Sequence, residues 1–328
     1  VSSLFKRAAS RLYGSVMTLR NGCFDRGFLS SKELPVPVIS VGNLTVGGTG
    51  KTPVTAALAR ELIRTGKKVG IISRNYKADG GGMRRVDPAH SDEVRIVGDE
   101  PFLLAKTLPQ LGVFVGPSKS ETAVWALTQD PSLQVLVVDD GFQHRRLKRD
   151  FDIVLIDVTD EKSFEVVPFG RARESSTALE RADWIVLTKT NWAPEERCEW
   201  MRAHLPDDIP VTEARFQTVW PALPADAVVG VVAGIARTEI FFDQVKKKYF
   251  GRVARTWSYP DHHRYAEREF AQWRAFLESD SKARLLMTEK DAVKVADAAI
   301  RARTSVVGLE VEFDRGEKLF EKLHTLVR

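Results

Sequence analysis

An α/β fold, a parallel sheet with helices on both faces, is predicted for this chain by three observations. Short apolar runs rich in β-branched residues recur along it. Amphipathic helical stretches separate them. One of the runs leads directly into a glycine-rich turn and the start of a helix. Strands buried on both faces read as continuous apolar runs, and their alternation with helices implies a parallel sheet.

The first element is a helix. At 100° per residue, Leu4, Phe5, Ala8, Leu12, Val16 and Leu19 fall within one arc of about 120°, with Lys6, Arg7 and Arg20 outside it and Arg11 at its border. Residues 1–30 contain Lys6, Arg7, Arg11, Arg20 and Arg26 against Asp25 alone, so they carry +4 of the chain's net charge of +5. Such a basic amphipathic helix either packs on its own domain or lies in a membrane interface with its cations near anionic headgroups.

Strands follow at residues 36–41, 69–72, 113–115, 135–138, 153–156 and 185–187. A stretch rich in Pro and Ala at residues 220–227 then breaks the pattern, which sets a boundary near residue 216. Beyond it, residues 228–232, 253–257, 285–287 and 306–311 read as strands of a smaller α/β unit, with helical patterns at 239–249 and 266–277. The expected organisation is residues 1–30 as the amphipathic helix, 31–216 as a nucleotide-binding domain and 217–328 as a smaller unit closing over it. Residues 80–82, all glycine, mark a loop.

Hydrophobic residues make up 43% of the chain and charged residues 28%, the balance of a globular protein. Cys23 and Cys198 are too few for a disulfide framework and too far apart in sequence for a metal-ligand cluster, so a reducing, cytoplasmic setting is expected. No apolar run approaches the roughly 20 residues of a membrane-spanning helix.

Residues 38–53, VISVGNLTVGGTGKTP, form the strand, glycine-rich turn and helix start that a phosphate-binding loop (P-loop) requires. Gly47, Gly48 and Gly50 let the backbone wrap a phosphate, and with Thr49 they offer N–H groups at a helix N-terminus. Lys51 neutralises phosphate charge, and the Thr52 hydroxyl is suited to Mg2+. The strict pattern G-x-x-x-x-G-K-[ST] fails at its first position, where Thr45 stands. The alternative is a plain strand-to-helix turn.

Residues 135–140, VLVVDD, supply the partner, an apolar strand ending in Asp139 and Asp140, whose carboxylates can reach a metal ion or its water shell. Residues 141–149, GFQHRRLKR, follow at the carboxyl end of that strand, the edge where open α/β sheets bind ligands. These cations can meet substrate phosphates or sit in a solvated turn.

With these residues assembled, the chain resembles the tetraacyldisaccharide 4'-kinase family over nearly its whole length. The resemblance rests on six blocks in the family's order: residues 41–53, GDEP at 98–101, DDGFQH at 139–144, Arg173 with Glu174, Asp261 with His262, and MTEKDAVK at 287–294. It implies transfer of the ATP γ-phosphate to the 4'-hydroxyl of a tetraacylated glucosamine disaccharide 1-phosphate at the cytoplasmic face of the inner membrane. An acylated substrate resides in a bilayer, which favours the membrane role for the first helix, with anionic lipids as its partner.

The same resemblance implies Asp99 as the base that takes the hydroxyl proton, with His262 orienting it or sharing the proton across an interdomain cleft. It also implies Glu100 and Gln143 as metal partners beside Thr52, Asp139 and Asp140, and places Arg173 and Glu174 near the nucleotide. Adjacent His263 leaves open which imidazole reaches the cleft. Lys119 stands where relatives carry arginine, and the family's Ser-Arg-Gly-Tyr-Gly reads SRNYK at residues 73–77, where Asn75 can supply a left-handed turn. The usual Pro-Ala-Gly reads PFG at residues 168–170. Residues 289–291 either contact substrate, close the smaller unit or cap a helix.

Two other classes fit parts of the chain. A membrane-associated P-loop ATPase acting as a nucleotide-driven switch would use the loop and the basic helix, and LTKT at residues 187–190 is similar to a guanine-recognition motif without its aspartate. That reading leaves Asp99 and His262 unexplained. Nucleic-acid binding through residues 145–149 meets a charge nearly balanced beyond residue 30, and no nucleic-acid partner is expected.

Overall fold

The computed structural model describes residues 3–75, 79, 81–90 and 93–328, with the backbone alone at Ser3 and Leu4. The readings made above at Tyr76, Lys77 and Gly80 lie outside these residues.

The chain begins with α1 (Ser3–Asp25) and enters the sheet at β1 (Val38–Asn43). Next come α2 (Lys51–Arg64), β2 (Val69–Arg74), the short β3 (Arg84–Arg85), α3 (Glu93–Val97), α4 (Asp99–Thr107), β4 (Gly112–Gly116), α5 (Lys119–Gln129), β5 (Val135–Asp139), β6 (Phe151–Asp157), β7 (Trp184–Thr188) and α6 (Glu195–Arg202). The remainder comprises β8 (Val211–Val219), β9 (Val228–Ala233), α7 (Thr238–Lys248), β10 (Val253–Ser258), α8 (Glu267–Ser279), β11 (Ala283–Thr288), α9 (Glu289–Ala292), α10 (Ala298–Ala302), β12 (Thr304–Asp314) and α11 (Glu317–Leu326).

Among the described residues twelve strands form one sheet in the order β10-β9-β11-β12-β8-β7-β6-β1-β5-β2-β4-β3. All pairings are parallel except β12 with β8 and β3 with β4. The strands expected from apolar runs are present. The sequence reading missed β8, whose alternating exposure is that of a strand with one wet face, and the short β3; the strand expected at 306–311 lies within β12.

β12 is the hinge of the architecture. Its first residues run parallel to the end of β11, Thr288 standing opposite Val307. Its next residue, Gly308, stands opposite Val219, the last residue of β8, in antiparallel register. Both parallel arrays therefore end at the same point of β12, and their carboxyl edges face one another across it. Ligands of open α/β sheets gather outside the carboxyl ends of the strands, and here two such edges enclose one space.

The expected boundary at residue 216 falls within β8. Packing also departs from chain order at the C-terminus. Leu319, Leu323 and Val327 of the last helical segment join the core built on α2, β1 and β5, whereas β9, β10 and β11 pack around separate clusters centred on Trp273 and on Val231. The amphipathic stripe of α11 brings the chain end back to the larger array, where Leu319 and Leu323 are fully buried.

α1 lies on the larger array through polar groups. The Ser10 hydroxyl donates to the Val166 carbonyl at 2.9 Å and accepts from the Phe169 amide at 2.9 Å. Asn21 donates to Glu174 at 2.6 Å, and Arg20 donates to the Gln143 carbonyl at 3.0 Å. Its apolar stripe points away: Phe5, Leu12, Val16 and Leu19 are 66%, 70%, 56% and 68% exposed. No described helix is long and apolar enough to cross a membrane.

Candidate functional site

The phosphate loop leaves β1 at Asn43 and enters α2 at Lys51. Thr45 needs no glycine freedom, because it pairs with Ala172 as an antiparallel bridge, with the Val46 amide donating to the Arg171 carbonyl at 2.8 Å. The turn is made further on, at Gly47 (φ 107°) and Gly50 (φ 85°). Gly50 also lies against the Phe216 ring of β8, where a Cβ would stand 2.4 Å from the nearest ring carbon. Pro53 sits in the first turn of α2, where a missing N–H costs nothing.

Side chains from neighbouring strands hold the loop from outside. The Thr188 hydroxyl donates to the Thr49 carbonyl at 2.9 Å. Lys189 donates to the Gly48 carbonyl at 2.7 Å and pairs with Asp157 at 2.5 Å. The Lys51 ammonium donates to Asn43 Oδ1 at 3.2 Å and lies 3.6 Å from Asp140. The Thr52 residue is buried at the floor of the same cleft.

At the end of β5 the two carboxylates differ. Asp140, in a left-handed conformation (φ 54°), accepts two hydrogen bonds from Arg173 at 2.9 and 3.0 Å. Burial opposes its charge, but Lys51, Lys119 and Arg173 outweigh burial and hold its carboxyl well below the ordinary range. Asp139 accepts from the Ser73 hydroxyl at 3.1 Å, and its other oxygen is buried without a partner. Burial, reinforced by the nearby Glu100 charge, pushes Asp139 up to about 6. Lys119 donates to the carbonyls of Asp139 and Asp140, both at 2.5 Å, and so braces the turn that separates them. Burial pulls its ammonium down to about 8 against the two aspartates.

Across the cleft, Gly98 (φ 94°) starts α4 and presents Asp99 and Glu100 in its first turn. Asp99 lies 3.0 Å through each oxygen from Nδ1 of His262, which sits in a left-handed turn (φ 61°) after β10. Burial acts against the Asp99 charge, yet the His262 hydrogen bond and the Lys290, His262 and Lys294 charges hold it down to about 2. The same hydrogen bond raises His262 above its ordinary value despite burial. His263 turns elsewhere and stacks on Tyr259 at 4.7 Å.

Lys290 pairs with Glu100, so α9 meets α4 through an ion pair in the cleft. Its neighbour Asp291 is fully buried, and accepts from the Gly234 amide at 3.0 Å, Tyr265 at 2.7 Å and Thr288 at 2.7 Å. The block at residues 289–291 therefore divides its work: Lys290 faces the cleft and Asp291 ties the loops after β9, β10 and β11 together.

A single cleft of about 1640 Å³ is lined by Gly47–Gly50 of the loop, Lys51, Thr52, Asp99, Glu100, Asp139, Asp140, Gln143, Arg173 and His262. Glu174 corrects an expectation. It is 1% exposed and turned from the cleft, accepting from Asn21 of α1 at 2.6 Å and from Arg181 at 2.9 Å. Arg173 and Glu174 thus face different ways, Arg173 to Asp140 and Glu174 to α1. Of the basic stretch after β5, Arg145, Lys148 and Arg149 pair with Asp25, Glu33 and Asp152 at 2.7, 2.7 and 2.8 Å.

Sequence reasoning missed four groups on the cleft wall: Arg20 and Tyr13 of α1, Arg74, and His144, which burial and the charges of Lys119 and Arg74 pull down to about 3. His144 carried a signal in its place directly after the strand-end carboxylates, and Arg74 in the SRNYK block at residues 73–77.

The family described as LpxK, tetraacyldisaccharide-1-P 4'-kinase, matches residues 3–328. A tetraacyldisaccharide 4'-kinase of Bdellovibrio bacteriovorus is 40% identical over 99% of each chain. One of an Anaeromyxobacter species is 34% identical over 94% of this chain and 87% of its own. In three dimensions the chain is similar to the "apo" form LpxK from Aquifex aeolicus in complex with ATP, with a TM-score of 0.79, 30% identity and 98% of each chain covered.

Proposed function

This chain belongs to the tetraacyldisaccharide 4'-kinase family, and from that premise we infer how its cleft performs the transfer. The enzyme is an ATP-dependent kinase that moves the γ-phosphate of ATP to the 4'-hydroxyl of a tetraacylated glucosamine disaccharide 1-phosphate, a step in making lipid A.

The loop of Gly47, Gly48, Thr49 and Gly50 cradles the phosphates of ATP, and Lys51 neutralises charge that develops as the γ-phosphoryl group leaves. The 4'-oxygen attacks phosphorus, the bond from phosphorus to the β–γ bridging oxygen breaks, and ADP carries away that electron pair. Asp99 takes the hydroxyl proton. Because Asp99 is held at about 2 and His262 is raised, the proton passes to the imidazole, which must be neutral beforehand. The observation that carries this reading is the 3.0 Å Asp99–His262 pair, built from opposite sides of the cleft that holds Lys51. A nucleotide-driven switch would leave that pair without work.

Arg173 holds Asp140 and Gln143 in place, the latter through a 3.1 Å bond to its side-chain oxygen. A Mg2+ ion fits the donors present. The Thr52 hydroxyl and the unpartnered oxygen of Asp139 are hard oxygen ligands, with Asp140, Glu100 and Gln143 nearby. Among the described residues no three acidic or imidazole groups converge as a cage, which suits an ion that takes one or two carboxylates and completes its shell with phosphate oxygens and water. When bound, the ion would neutralise phosphate charge.

The exposed stripe of α1 docks the enzyme on the membrane at the cytoplasmic face, its cations near anionic lipids. Tyr13, Met17 and Arg20 of the same helix line the cleft, so an acylated substrate held in that bilayer lies beside the site. The smaller array closes toward the phosphate loop about the β8–β12 junction.

The test uses labelled ATP, Mg2+ and a micellar disaccharide acceptor. Asp99→Ala should lower phosphate transfer by about 10²- to 10⁴-fold while ATP binding persists. Unchanged transfer would remove Asp99 as the base, and hydrolysis without lipid labelling would favour the switch.

A further inference from the structure

A second cavity, of about 920 Å³, runs along the other flank of α1. Its helix wall is formed by Arg7, Arg11 and Thr18, with Arg26 just beyond the helix end, and its outer wall by Glu165 and Phe169. The walls are fixed to each other, because the Ser10 hydroxyl bonds to both the Val166 carbonyl and the Phe169 amide at 2.9 Å. Arg7 rests on the Phe169 ring at 4.9 Å. Among the described residues none of the three guanidinium groups takes part in an ion pair, and Glu165 is the one carboxylate in the lining.

Helical geometry sets this groove beside the exposed stripe. At 100° per residue, Arg7, Arg11 and Thr18 centre about 130° round the helix from the arc of Leu12, Val16 and Leu19. The stripe thus has the catalytic cleft on one side and the arginine groove on the other. With the stripe in the acyl boundary, the groove stands at the level of the headgroups.

We propose that this groove is a binding site for the phosphate of an anionic membrane phospholipid, distinct from the catalytic cleft. Unpaired guanidinium forks match phosphate oxygens in pairs, and do so better than ammonium groups. The bound headgroup fixes the rotation of α1 on the membrane and so keeps its Tyr13 flank, which lines the cleft, toward the substrate. The proposal rests on the membrane-docking reading and adds a defined site to it.

The experiment measures binding of the full chain to phosphatidylcholine vesicles with and without phosphatidylglycerol. Lys6→Gln removes the same charge from α1 outside the groove, and should weaken binding to the anionic vesicles by about the fivefold that one basic residue near such a surface supplies. Arg11→Gln should weaken it at least tenfold, and Arg11→Lys should restore only part of the loss. Equal effects of Lys6→Gln and Arg11→Gln, or full rescue by lysine, would overturn the site while leaving docking intact. Leu12→Ser with Val16→Ser should abolish binding to both kinds of vesicle. Wild-type protein that ignores all vesicles would overturn docking and groove together. Calorimetry with inorganic phosphate provides the last arm: an Arg11-dependent phosphate signal with unchanged vesicle binding would make the groove a soluble-anion site and refute the proposal.

Discussion

Replacing Gly50 by alanine should damage the phosphate loop in two separable ways. The residue has φ 85°, a conformation that costs an L-residue about 1 kcal/mol or more. The new methyl would also stand 2.4 Å and 2.6 Å from two carbons of the Phe216 ring. That ring is 1% exposed and packed in the largest core cluster, so it has nowhere to turn. Overpacking of this kind costs about 1–3 kcal/mol, and the sum is about 2–4 kcal/mol. Urea unfolding reads the stability loss, and titration with ATP reads the displacement of the loop. Phe216→Leu shortens the obstructing side chain, so the double variant separates the terms. A double-mutant cycle should give a favourable coupling of about 1 kcal/mol, with the dihedral strain remaining. A Gly50→Ala penalty below about 0.5 kcal/mol, within the range of an ordinary surface change, or no coupling to Phe216, would refute the claim that β8 shapes this loop.

Two further outcomes follow from the site. The Asp99 hydrogen bond raises His262 above 6.5, so transfer that needs a neutral imidazole should rise with pH through a value above 6.5. By the same shift the stabilisation from the pair is present in full below 6.5 and is lost as pH rises through the folded value, so activity and stability trend oppositely there. A pH profile of kcat/KM checks this; Asp99→Asn should move the acid limb downward, and a wild-type limb below 6.5 would contradict it. Glu174→Ala strands the Arg181 charge and frees Asn21, which should cost about 3 kcal/mol and loosen α1 with no change in KM for ATP. A large rise in KM at wild-type stability would instead return Glu174 to the nucleotide.

Much of the fold was legible because parallel strands buried on both faces leave apolar runs that need no partner to be recognised. β8 escaped because its alternating residues, Ala214 and Phe216 inward and Arg215 and Gln217 toward solvent, break that pattern. The division at residue 216 followed from a Pro-rich stretch, a local signal, whereas packing carried β12 and α11 back to the larger array. The glycines, Lys51, Thr52 and strand-end carboxylates, read from their suitability for phosphate and metal chemistry, all line the one cleft. Which way Glu174 and His263 point could not be read, since neither lies in a strand or helix whose period would set its direction.

The sequence by itself determined the loop, its helix N-terminus and the paired acids at the end of β5, because strand, turn and helix are local and their chemistry lies within a few residues. It also determined the apolar arc of α1, though not its direction. Only the tertiary structure decided that this arc faces outward while polar residues hold the helix to the body. Only the tertiary structure brought Asp99 and His262, 163 positions apart, to 3.0 Å. The physical reason is the same in both cases. Where a face or a side chain ends up depends on which surface is left to meet it, and that is known only when the two carboxyl edges have closed on β12.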